Sequence, residues 1–278
     1  IERIKAEQRG GFQVADILST AVATLTQAKM EGITEPFGPQ PELQKSQDKN
    51  VWKISPVVDK EGNILFSTPS LTSPWINTTL VKPGEEPKSW RDLLQPRWKG
   101  KISIGDPDSD PTSNYIYYKL ARKQGILDDT YFRELGKVGA LYPTSRMSAT
   151  AVAKGEVDIS FASTPNAMAF ALQAGVPVKA IDMLEGVTGS RSVGVSVLTK
   201  APHPNAARVF VNWWFSREGQ NIFHETLGTE SVRLDVPNFI PALGQLIPKN
   251  VFWISPEEEA EVAGMQRERV LKTLLSSK

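Results

Sequence analysis

From Lys101 to Met183 short apolar strands alternate with capped helices, and that order constrains the fold more than any other feature. The strands read as 101–105, then 157–161 with Val157, Ile159 and Phe161 on one face, then 178–183. Between them lie helical stretches running to Lys123, from Thr130 to Val138, from Ser145 to Lys154, and from Thr164 to Gly175. Ser145 sits where a cap belongs, and Thr164 precedes a proline at the first helical position. Strands alternating with helices predict a mainly parallel sheet with helices on both faces, an α/β class. Such sheets take ligands beyond the carboxyl ends of their strands, where helix N-termini point.

The flanking regions read less regularly. A helix opens the chain and ends at Gly10-Gly11, and 14–18 reads as a strand. Ser19 and Thr20 then stand as caps for a helix from Ala21 to Glu31. Residues 51–58 and 64–67 read as strands across the polar turn 59–62, and 74–81 as a further strand before the linker 82–87. Ser89 and Asp92 have capping-box spacing. Residues 193–198 form a strand, and Ala206, Val209, Phe210, Trp213 and Trp214 form a helical stripe predicted to face the core. A final helix opens with Ser255 and Glu258 in a second capping box and runs to about Leu275.

Several functions are excluded or disfavoured by residue content. There is no cysteine, which removes thiolate metal sites, disulfides and thiol nucleophiles. The two histidines, His203 and His224, have no companion at metal-ligand spacing. Basic and acidic residues number 32 and 31, a net charge of +1 that gives no reason to expect nucleic acid or an anionic membrane as partner. Nucleophile elbow, phosphate-binding loop and dinucleotide fingerprint are missing, so catalysis is not expected and no cofactor is implied.

Residues 89–102 (SWRDLLQPRWKGKI), 152–157 (VAKGEV), 200–208 (KAPHPNAAR), 215–220 (FSREGQ) and 231–235 (SVRLD) keep the order and spacing of a known family. Through them the chain resembles the bacterial extracytoplasmic solute-binding proteins of ABC importers, the group that includes the ferric-iron binders. The resemblance implies a type II periplasmic-binding-protein fold: two α/β lobes joined by two crossing strands, with a ligand cleft between them. It places one lobe at 1–80 and 195–278 and the other at 81–194, with a first strand, first helix and second strand expected before Ile1. It implies a monomer, outside the cytoplasm or anchored to the membrane, that hands a small solute to a permease. Ferric-iron binders carry twin tyrosines where this chain has Pro165 and Asn166. Tyr117 and Tyr118 lie on an earlier helix, expected as one packed and one exposed ring. An iron site of that kind is therefore not expected. Ferric iron or a metal complex held by ligands other than tyrosine, or a receptor's sensing module, is the alternative.

Four loops of the second lobe are predicted to meet the solute. They carry Asp106, Ser109, Thr112 and Ser113; Ser145 and Arg146; Ser163, Thr164 and Asn166; and Ser190 with Arg191. Ser19, Thr20, Ser67 and Thr68 are the expected contacts from the first lobe. Hydroxyls, helix N-termini and guanidinium groups together suit an anionic solute.

Overall fold

The computed structural model describes residues 1–42, 48, 50–54, 56–227, 230–237 and 248–277. The chain divides into two compact units. The first comprises Ile1–Pro69, Arg191–Phe239 and Ser255–Ala260, and the second Ser70–Ser190, Ile240–Ile254 and Glu261–Lys278. Two long strands, β3 (Leu65–Asn77) and β8 (Val187–Leu198), carry the chain from one unit into the other. Residues 261–278, expected with the first lobe, group with the second unit.

In the first unit helix α1 (Glu2–Gly10) leads to β1 (Ile17–Ala21), α2 (Val22–Met30) and β2 (Thr34–Glu35). Both strands pair antiparallel with residues 193–198 of β8. The expected strand 14–18 is thus displaced along the chain, and Ser19 and Thr20 lie inside β1 rather than at a helix cap. Ala21 precedes α2, with no side chain capping it. Their hydroxyl-rich pair fits capping by composition, but strand pairing to Val195 and Gly194 claims their backbone.

Residues 51–58 do not form the expected strand among those described. Trp52 and Val58 each make one isolated bridge, to Arg233 and Leu65, and Pro56 has no N–H to give a ladder. Conversely β3 runs through Pro69 and Pro74 without stopping. Its register against β6 shifts between Ser73 and Trp75, the kind of irregularity where a strand proline is tolerated.

The second unit is built on β4 (Ile102–Gly105), β5 (Ala140–Tyr142) and β6 (Ile159–Ser163), with β4 central and parallel to both neighbours. The 70–77 part of β3 pairs antiparallel with β6 and with β7 (Val178–Ala180), and β9 (Val251–Trp253) lies parallel to the start of β8. Each parallel strand feeds a helix: α3 (Thr112–Ile116), which widens into π-helical turns over Tyr117–Lys123, α5 (Ser145–Ala153) and α6 (Pro165–Gln173). Helix α4 (Asp129–Val138) returns the chain to β5.

The core gathers Trp90, Ile102, Ile104, Phe132, Leu135 and Phe161. Trp90 donates its indole N–H to the Gly186 carbonyl at 2.9 Å, so a large ring is buried without stranding its polar atom. Tyr117 and Tyr118 are both buried, correcting the expectation of one exposed ring. Their phenols donate to Asp129 at 3.0 Å and Glu261 at 2.8 Å.

The first unit also holds α7 (Pro204–Trp214) and α8 (Arg217–Leu227). The expected core stripe of α7 is mostly exposed: Val209 to 70%, Phe210 to 43% and Trp213 to 37%. Ala207, Val211 and Trp214 are the buried set. The final helix is two helices, α9 (Pro256–Arg267) and α10 (Val270–Ser276), broken at Arg269 with φ of 57°.

Candidate functional site

At the carboxyl ends of β5, β4 and β6, hydroxyl and carboxylate side chains of the second unit form a hydrogen-bonded polar cluster, here called the cup. Its floor depends on Gly105: a Cβ there would lie 2.8 Å from the Ser145 Cα, so only glycine lets α5 begin against the strand end. Thr144, not Ser145, caps α5 by accepting from the Met147 N–H at 3.1 Å. The two adjacent hydroxyl residues are alike in sequence, and the extended backbone of Thr144 decides which one caps. Thr164 caps α6 as expected, accepting from Ala167 N–H at 3.3 Å, with Pro165 first in the helix.

Asp110 organises the cup, and the sequence reading had not singled it out. Its carboxylate accepts the Thr112 N–H at 2.8 Å and also the hydroxyls of Thr112 and Ser145. It therefore ties the loop after β4 to the loop after β5. The signal available was an aspartate two residues before a threonine and just ahead of a proline, a local turn-former. Ser109 donates towards the Asp106 and Pro143 carbonyls, closing the same two loops.

The loop 106–110 is braced from below by the C-terminal helices. Lys272 pairs with Asp106, the Arg269 guanidinium meets Asp108 at 2.8 Å, and Gln266 donates to the Asp108 carbonyl at 3.0 Å. Burial opposes ionisation of Asp106, but Lys272 and the Asp108 N–H outweigh it and hold its pKa below the usual carboxylate value.

Ser163 ends a buried file of hydroxyls. Ser148 joins Ser103 and Ser160 at 2.8 Å each, and Ser160 joins Ser163 at 2.7 Å. Ser113 is turned back onto the Gly105 carbonyl at 3.3 Å. Arg146, in the first turn of α5, is exposed and makes no ion pair among the described residues. Asn166, in the first turn of α6, is half-buried.

The remaining candidates fall in the first unit, apart from Ser190, which is buried at the end of the second. Ser67 gives its hydroxyl hydrogen to the Val193 carbonyl at 3.2 Å, and Thr68 is buried. Arg191 lies with its guanidinium 5.0 Å over the Phe66 ring, at a cavity of about 840 Å³ shared with Val58, Lys60, Ser255 and Glu257. Burial pushes its pKa down while the charges of Glu257 and Glu259 push it back up. Among the described residues no group of acidic, histidine or cysteine side chains is placed to hold a metal ion. No helix among them is long and apolar enough to cross a membrane.

Residues 56–226 match the family model described as bacterial extracellular solute-binding protein. An uncharacterised protein of Haemophilus influenzae is 31% identical over 140 residues, 50% of this chain and 40% of the relative. A probable ABC transporter periplasmic-binding protein of Sinorhizobium fredii is 26% identical over 227 residues, 78% of this chain and 60% of the relative. The chain thus spans about half the length of the curated relatives it matches. Among solved structures, the open form of ferric iron-binding protein A from Mannheimia haemolytica superposes with a TM-score of 0.76 at 12% identity. That match covers 99% of this chain and 87% of the other.

Proposed function

The chain belongs to the bacterial extracellular solute-binding proteins, and on that premise we propose that it captures a small anionic solute outside the cytoplasm and delivers it to the permease of an ABC importer. The observation that carries the reading is the family match over 56–226, which includes every element of the cup except its C-terminal brace. The relative from Sinorhizobium fredii, named as a probable ABC transporter component, supports the transport role. On this reading the protein is a binder and performs no chemistry on its solute.

Within the cup the anionic group is met by Arg146 and by the orphan N–H groups in the first turn of α5. Arg146 is exposed and free of an acidic partner, so it has a charge to give. Its planar fork suits a carboxylate or phosphate bound through two hydrogen bonds. In the first unit Arg191, stacked on Phe66, is a separate cation that an anionic solute can use.

Native mass spectrometry of the gently purified protein tests the reading. The expected result is a bound mass that leaves on denaturation and carries a negative group. Replacing Arg146 and Arg191 together by alanine should remove it, since each charge-assisted contact is worth roughly tenfold or more. A double variant that retains the solute would sink the anionic assignment. A protein that carries nothing and is stabilised by no solute would sink the capture role itself.

A further inference from the structure

We infer that the solute carries hydrogen-bond donors, hydroxyl or ammonium, beside its anionic group, because the cup has spent its own hydroxyl hydrogens on Asp110. The inference rests on the reading of this cup as the solute site and goes on to name the class of solute. A carboxylate only accepts hydrogen bonds, and a hydroxyl has one hydrogen to give. Asp110 takes the hydrogens of both Thr112 and Ser145. What those two side chains still offer is lone pairs. Ser109 is in the same position, its hydrogen committed to the backbone carbonyls of its own two loops.

Asn114 adds an independent observation. It is 1% exposed, and its amide turns into the same loop to donate to the Pro107 carbonyl at 2.8 Å. A carbonyl can only accept, so this bond fixes which end of the amide is nitrogen. The amide oxygen is then a buried acceptor that has no partner among the described residues. Thr112, Ser145 and Asp110 therefore offer acceptors, the Asn114 oxygen is a further acceptor buried in the same loop, and Arg146, next after Ser145 in α5, is the donor of charge. A bare oxyanion pressed against these acceptors would meet lone pairs and a like charge, leaving buried acceptors unsatisfied. A solute whose anionic group lies at Arg146 and whose hydroxyl or ammonium hydrogens face Thr112 and Ser145 satisfies both halves.

Three probes separate the possibilities by calorimetry on the 278-residue chain at about pH 8, where a phosphate monoester is a dianion without P–OH: methyl phosphate, glycerol phosphate and ethanolamine phosphate. All carry the same anion, and only the last two bring donors. At least one donor-bearing probe should bind about tenfold or more tightly than methyl phosphate, the usual effect of satisfying buried partners. Asp110→Asn would return a hydroxyl hydrogen to the cup, because the new amide can itself donate to Thr112 or Ser145. The preference should then fall to within about threefold. Ser145→Ala removes one acceptor while Thr144 keeps the helix cap, so it should lower the preference without unfolding α5. Equal binding of methyl phosphate and the donor-bearing probes, or a preference unchanged in both variants, would overturn the inference and leave solute capture standing. Failure of all three probes, with no solute in the native spectrum, would overturn capture as well.

Discussion

Gly105 shows how much of the cup depends on one absent side chain. A methyl group there would drive into the Ser145 backbone, and backbone cannot swing away as a side chain would. Gly105→Ala should cost about 1–3 kcal/mol in urea unfolding, the usual cost of overpacking. It should also weaken solute binding; a variant as stable and as competent as the parent would refute the close approach. Asp106 gives a pH test. Its folded pKa lies below the ordinary 3.8, so its stabilising share is full above that value and lost as pH falls through the folded pKa. Lys272→Met should flatten that acid limb of the stability curve, and an unchanged limb would show that the pair contributes nothing. At this scale some roles were legible. The Ser89–Asp92 box forms with both bonds present, and Thr164 caps where its proline neighbour says it should. Asp110 was not legible as an organiser, because its partner Ser145 comes from another loop and no sequence spacing reports that meeting.

Helix α7 shows where periodicity stops being informative. Its apolar residues fill two stripes that overlap at Trp214, the expected 206–209–210–213–214 and 207–211–214, and both satisfy helical spacing. Burial selected the second: Trp214 packs on Phe223 with ring centroids 4.8 Å apart, while Trp213 is 37% exposed beside the exposed Phe210. Trp214→Ala should therefore cost about 3–5 kcal/mol, and Trp213→Ala less than about 1 kcal/mol, by denaturant midpoint. Equal costs would restore the sequence-based face. The strands carry a related lesson. Prolines 69 and 74 split β3 into two pieces in the sequence, yet the register shift beside Pro74 absorbs one of them within a continuous strand. The break at Arg269 is equally silent in sequence, since capping chemistry marks the start at Ser255 and nothing marks an arginine for positive φ.

Over the whole chain, alternation of strand and helix was enough to give the α/β class, because it depends only on local signals repeated in order. The grouping of residues 261–278 was not accessible that way, since amphipathic spacing says that a helix packs but not against what. Here α10 lies on α4, close enough that a side chain at Gly136 would strike the Leu275 backbone. Solute binding should appear as global stabilisation. At a hundred times its dissociation constant a solute adds about 2.7 kcal/mol, or very roughly 5–10 °C in unfolding midpoint for a unit of this size. That shift should disappear in the double arginine variant, and a midpoint that ignores every donor-bearing anion would contradict capture. The brace beneath the cup also has an evolutionary meaning. Gln266, Arg269 and Lys272 hold the 106–110 loop from outside, through residues that are not among the acceptors. A lineage can therefore exchange Arg146, which takes no part in those ties, and inherit an intact frame. New diets become reachable by single substitutions, without passing through an unfolded ancestor.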